Sequence, residues 1–319
     1  MARAIRCVVL GAFEPDAGPV PGELRHFIER EGLGERVEFA AGYRDVWWDG
    51  GRRGVLACAT GVGAARAAAS VMALGLDGRF DLTEAHWLVT GVAGCDPGAG
   101  SLASVVMPEW VVDGDLGHEL DGREIPADWR DGFVPLGKVT PYEEPLGQRF
   151  NGDDGIVFRL DEALVGRAFA LASEVELLDT AAIGRRRRLF QPEATAWRAP
   201  EVLRGDELAS TTFWHGRLMS ERARRWVAYQ TAGRGSYAIT AMEDAGILTA
   251  LKALARAGRV DSGRVVIARG VSNYDRQRVG ISAAESLAET RVATDSAYRP
   301  ALENAWRVGR RLIAELVGA

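Results

Sequence analysis

The sequence reads as an α/β protein, a single three-layer α/β/α domain with a mixed central sheet. Three observations predict it. Short continuous apolar runs, such as Ile5–Gly11 and His86–Gly91, have the character of strands buried on both faces. These runs mostly alternate with helical patterns, which calls for a parallel or mixed sheet covered on both sides. The strand ends carry glycine-rich or polar loops at residues 11–18, 90–95, 212–215, 242–244 and 271–275. Open α/β sheets place their ligands at such ends.

Composition narrows the function classes. The chain has 319 residues, 47% of them hydrophobic and 26% charged, enough for one large globular domain or two. No run approaches the roughly 18 consecutive apolar residues of a membrane span. The N-terminus lacks a long apolar segment with a small-residue cleavage site, so the expectation is a cytoplasmic protein. A net charge of −5 argues against nucleic acid, whose phosphates reward a basic face. The basic run Arg185–Arg188 reads as an exposed, solvated loop. Cys7, Cys58 and Cys95 are far apart and sit in or beside apolar runs. They are expected to be buried or free thiols, with neither a metal nor another cofactor.

Taken in order, Ile5–Gly11 is a first strand. It is followed by a loop carrying Glu14 and Asp16 and a helix start at Pro21–Glu31. Arg53–Gly61 is a second strand, leading through Gly63 into the Ala-rich helix Ala64–Leu76, whose small residues allow close packing on a sheet. His86–Gly91 is a third. The turn after it, Val92–Gly98, exposes backbone N–H groups that can cradle an anion or a ribose. Its spacing is not GxxxxGK[ST] and no lysine follows, which excludes a Walker-type site. Ala103–Val112 reads as one long strand ending in the turn signal Asp113-Gly114-Asp115.

From about 116 to 206 prolines and glycines break the pattern, and only Asp161–Ser173 reads clearly as a helix. This stretch is an insertion within one domain spanning 1–319. Val202–Trp214 returns to strand character and ends in Phe213-Trp214-His215. Tyr237–Gly246 is a strand ending in two carboxylates, Glu243 and Asp244, with a helix following at once. Arg264–Asn273 is a further strand, and Arg299–Val317 closes the chain as a long helix.

The segments GAFEPD, VTGVAG, STTFWHG, AMEDAG and RGVSN, in that order, resemble the GAMEEE-like loop, TGxAGG turn, post-SGD aromatic, MEG/MEA segment and ISD-like end of the nucleoside phosphorylase and nucleosidase superfamily. Within it, VVDGDLGHELDGREIPADW, TTFWHG and TAMEDAG closely resemble the purine nucleoside permease family, and the likeness covers nearly the whole chain. The resemblance implies a nucleoside phosphorylase-like fold, purine nucleosides as ligands, and homo-oligomers that commonly share sites across interfaces. With no spanning helix, a permease role can mean only binding or trapping nucleosides, because unsatisfied backbone cannot cross a bilayer.

The resemblance also assigns roles. Cleaving a purine N-glycosidic bond builds positive character on the ribose and negative charge on the base. Glu243 matches the glutamate that accepts the ribose 2′ and 3′ hydroxyls, with Met242 as an apolar wall beside the sugar. Trp214 matches the aromatic that stacks on the purine, flanked by Phe213 or His215. Ser272 and Asn273 stand where nucleosidases carry Ser-Asp at the purine edge. Asparagine cannot be a general acid but can pair with N7 and the group at C6, and Asp275 is a substitute acid. Thr90, Gly91 and Val92, continuing to Gly94, line the sugar.

Asp16 matches the carboxylate that activates a water, and neither nearby loop has a phosphate-binding arginine. Hydrolysis is therefore expected over phosphorolysis unless Arg66 turns into the cleft. A non-catalytic nucleoside binder is the alternative. Asp244 is read as a helix cap, and Asp113, Asp115, His118 and Asp121 as a polar turn or part of a pocket.

Overall fold

A computed structural model describes residues 2–16, 18, 20–143, 155–292 and 297–318. Two ten-residue strands, His86–Cys95 and Val265–Tyr274, form the spine of its mixed sheet and run parallel from Val265↔Trp87 to Tyr274↔Cys95. Cys7–Gly11 pairs in parallel with the other edge of His86–Cys95 and then with Val55–Ala59. Near its end, His86–Cys95 also meets Tyr237–Ala241 antiparallel, through Ile239↔Cys95 and Thr240↔Gly94. From there the sheet continues through Asp206–Ala209 to Trp110–Asp113 and the edge strand Val157–Arg159.

The strand residues alternate between two cores, as burial on both faces requires. On one face Val8, Leu10, Leu56, Trp87 and Ile267 pack with the Ala64–Leu76 and Asp244–Arg256 helices. On the other Cys7, Val9, Ala57, Leu88 and Ala268 pack with the Glu162–Ala172 and Tyr298–Leu316 helices. This is the expected three-layer arrangement. Asp161 caps the Glu162–Ala172 helix by accepting from the Leu164 N–H at 2.7 Å. Segment 116–206 thus supplies both an edge strand and a helix that covers the sheet. All three cysteines are buried and free of disulfides.

The long strand expected at Ala103–Val112 is two strands. Val105–Met107 pairs antiparallel with Val265–Tyr274, and Trp110–Asp113 joins Asp206–Ala209. Pro108 lies between them and has no N–H for a ladder, so the chain changes neighbours there. The basic run is also not an exposed loop. It belongs to the Ala181–Arg187 helix, where Arg187 is buried against Asp179 at 2.7 Å.

The Ala64–Leu76 and Asp244–Arg256 helices touch at their N-termini, where Gly246 faces the Ala64 backbone with no room for a methyl group. Gly246→Ala should lower the unfolding free energy by about 1–3 kcal/mol through overpacking. Urea denaturation measures this, and an unchanged midpoint would show that the two helices can separate freely.

Candidate functional site

The strand ends converge on a cavity of about 370 Å³. Its wall takes Val92, Ala93 and Gly94 from the end of one spine strand and Ser272 and Asn273 from the other. Between Val271 and Asn273 the pairing slips by one residue, so Asn273 faces Gly94. Such a bulge re-aims the side chains that follow it. The Asn273 amide donates to the Tyr274 carbonyl at 3.1 Å, and the Ser272 hydroxyl donates to the Asn273 carbonyl oxygen at 3.0 Å. Thr240 comes from the end of Tyr237–Ala241 and Met242 and Glu243 from the turn after it, and Phe213 is half exposed on the wall.

Two buried carboxylates face this space. Glu243 accepts from the Gly63 N–H at 3.1 Å and from the Arg269 guanidinium at 3.3 Å. Burial pushes its pKa up to about 7, with Glu23 and Asp244 adding to the rise and Arg269 opposing it. Glu23 accepts from the Ala12, Phe13 and Val92 N–H groups at 2.6, 3.2 and 2.8 Å. It can come this close because Gly91, at φ +122°, has no Cβ. A methyl group there would overlap the Glu23 carboxylate.

Behind them lies Arg269, 1% exposed. Its guanidinium holds both oxygens of Asp244 as well as Glu243, and lies 4.0 Å from Glu23. Glu207 lies in the same cluster, fully buried, and burial together with the Asp244 charge raises its pKa well above the usual carboxylate range. Asp244 is therefore the counter-ion of Arg269 and not the expected helix cap.

Several expected site residues sit elsewhere. Asp16 is exposed and ion-paired with Arg44, off the cavity wall. Trp214 is 6% exposed and packs with Trp226 and Tyr237 in a core cluster, which leaves Phe213 as the aromatic facing the cavity. His215 is half-buried off the wall, and burial lowers its pKa. Thr90 is fully buried in the sheet, and Gly91 backs Glu23 without lining the space. Asp275 is buried behind the site, accepting from the Tyr237 hydroxyl at 2.7 Å. Burial and Asp96 push its pKa up to about 6.

Arg66 is exposed and donates to the Val62 carbonyl of its own turn. Asp113 and Asp115 hold turns, the latter accepting from Ser210 and the Thr211 N–H, and Asp121 pairs with Arg123 on the surface. Sequence motifs give no site role to Glu23, Arg269 or Arg186. Glu23 lies inside a helix-like start, and Arg269 interrupts an apolar strand, a signal that could have marked it as a buried ion-pair partner.

Solved structures show what class of fold this is. Over 98% of this chain and 99% of theirs, it superposes on a 5′-methylthioadenosine/S-adenosylhomocysteine nucleosidase from Neisseria meningitidis with TM-score 0.54 at 18% identity. It also superposes on futalosine hydrolase of Helicobacter pylori with TM-score 0.58 at 12% identity, over 98% of both chains. The chain has the fold of these nucleosidases.

The chain belongs to the purine nucleoside permease family, whose model matches residues 4–319. A probable purine nucleoside permease of Schizosaccharomyces pombe is 31% identical over 263 residues, 81% of this chain and 74% of that protein. The purine nucleoside permease of Candida albicans is 30% identical over 261 residues, 81% of this chain and 63% of that protein. Among the described residues no helix is long and apolar enough to cross a membrane, and no cluster of His, Cys, Asp or Glu could hold a metal ion.

Because the raised pKa of Glu243 favours its neutral form in the folded chain, its contribution to stability is full below about 4.5 and lost as pH rises through about 7. The melting temperature of the wild type should fall relative to Glu243→Gln across that window. Parallel curves for the two proteins would remove the shift.

Proposed function

We propose that the protein binds purine nucleosides in this cavity and hydrolyses their N-glycosidic bond. The observation that carries the reading is the pair of buried carboxylates, Glu243 and Glu23, lining a cavity whose wall also presents Asn273 and Phe213. Glu243 accepts the ribose hydroxyls, since an ionised carboxylate is acceptor-only and can take two donors. Phe213 stacks on the base, and Asn273 pairs with N7 and the group at C6. Glu23, fixed by the backbone N–H groups of Ala12, Phe13 and Val92, orients the attacking water. In this reading it takes the part that the sequence motif gives to Asp16.

Two carboxylates at the sugar end would repel phosphate. The nearest cation there, Arg269, is already shared among Asp244, Glu243 and Glu23. That favours water over phosphate as nucleophile. A second reading, a nucleoside binder without turnover, draws on the names of the relatives. Such a protein would assist net uptake by holding nucleosides, without forming a path through a bilayer.

Free base released from adenosine and guanosine, followed by chromatography with and without phosphate, tests the reading. Release should be independent of phosphate. Release that requires phosphate would make the protein a phosphorylase, and none from either nucleoside would leave the binder. Glu23→Gln should slow release by roughly 10²–10⁴-fold, the usual worth of a positioned base, while Asp16→Asn keeps wild-type rates. The reverse pattern would return Asp16 to the mechanism.

Affinity should weaken about tenfold from pH 8 to pH 6, because hydroxyl donors need ionised Glu243. Phe213→Ala should cost roughly 1–3 kcal/mol of binding, the value of a base–aromatic stack, whereas Trp214→Phe should keep the affinity. Calorimetric titration reads both, and loss of affinity in Trp214→Phe alone would restore Trp214 as the platform.

A further inference from the structure

A second cavity of about 340 Å³ adjoins the first. The two share Asn273 and Arg186, so the space continues past the residue placed at the purine edge. The sugar end of the first cavity carries carboxylates, but the second is lined by Arg186, Arg276 and Arg278 against one carboxylate, Glu289.

The three arginines are not equally available. Arg276 is held by Glu193 at 2.6 Å and Asp96 at 3.4 Å, and Arg278 by Glu289 at 2.9 Å. Arg186 is half-buried and, among the described residues, has no ion pair or side-chain hydrogen bond. It stands at the junction. The Ala181–Arg187 helix sets its position, anchored one residue on by the buried Arg187 paired with Asp179. A partly desolvated, uncompensated guanidinium favours a carboxylate or phosphate oxygen, and its planar fork suits bidentate pairing.

We propose that this annex takes an anionic substituent carried on the exocyclic edge of the purine, a carboxylate-bearing group seated between Arg186 and Arg278. The proposal rests on the nucleoside reading above, with the sugar at Glu243 and the base edge at Asn273. It extends the substrate class from plain purine nucleosides to those acylated or alkylated at the exocyclic nitrogen by an acidic group. Neutral nucleosides would leave the annex to water.

The test compares adenosine, its 6-N-(1,2-dicarboxyethyl) derivative and adenosine 5′-monophosphate on the full chain. Each is measured as kcat/KM where base is released and as Kd where it is not. The dicarboxylate should be preferred over adenosine by at least tenfold. That ratio should fall toward one in Arg186→Gln, and several-fold in Arg278→Gln, whose residue lines only the annex. A dicarboxylate that binds no better than adenosine, or a preference that survives both substitutions, would overturn the annex alone. A preference for the 5′-phosphate that Arg186→Gln abolishes would put the sugar end at the annex and overturn the orientation. Failure of all three ligands to bind would remove the nucleoside reading and the annex with it.

Discussion

The site depends on one buried charge. Arg269 sits in the middle of a spine strand, paired across to Gly91 on one side and Val106 on the other. A guanidinium taken out of water at that depth is strongly unfavourable unless its charge and N–H groups are met. Asp244 meets most of it, and Glu243 and Glu23 share the remainder. The positions of both cavity carboxylates are therefore tied to the arginine that neutralises them. Burial pushes the pKa of Glu243 up to about 7, and Arg269, whose charge is shared with Asp244, offsets only part of that rise.

Backbone geometry does the rest of the positioning. Glu23 is gripped by N–H groups of the loop residues 12–13 and of Val92 within the spine strand His86–Cys95, so it ties the first strand's exit to that strand. Gly63, at φ +92°, starts the Ala64–Leu76 helix with its N–H on Glu243. The bulge beside Ser272 brings Asn273 opposite Gly94, whose missing side chain leaves space for it. Fixed partners of this kind hold acceptors in place before any ligand arrives.

The strand–helix alternation made the fold legible, since period and apolar runs carry layer information directly. Glu243, Met242, Ser272, Asn273, Val92 and Phe213, named from strand-end motifs and the family resemblance, all line the cavity. What escaped the sequence was side-chain direction. Phe213 and Trp214 are adjacent, and only the packing of Trp226 and Tyr237 decides which one turns inward. Asp16 and Glu23 lie on one loop-to-helix passage, and the motif pointed to Asp16, but Arg44 draws that residue outward. Asp244 looked like a cap because helix starts favour acids. Its partner is 25 residues away in sequence, beyond the reach of local rules. Arg186 was hidden in a basic run whose ordinary reading is solvation.

The charge layout bears on what kind of chemistry such a cavity favours. Carboxylates line the cavity together with an aromatic, an amide and Arg186, an arginine that has no ion pair among the described residues. A bound nucleoside in its ground state is neutral and gains modestly from this polarity. In the proposed reaction, positive charge would grow on the ribose beside Glu243 and Glu23 as the glycosidic bond stretches, and negative charge would grow on the base beside Asn273 and Arg186. Interactions that strengthen only as charge separates lower the barrier more than they tighten binding. A binder would draw only on the modest ground-state part of that gain. The distribution of charge is therefore what the proposed turnover would use, whichever carboxylate handles the water in that reading.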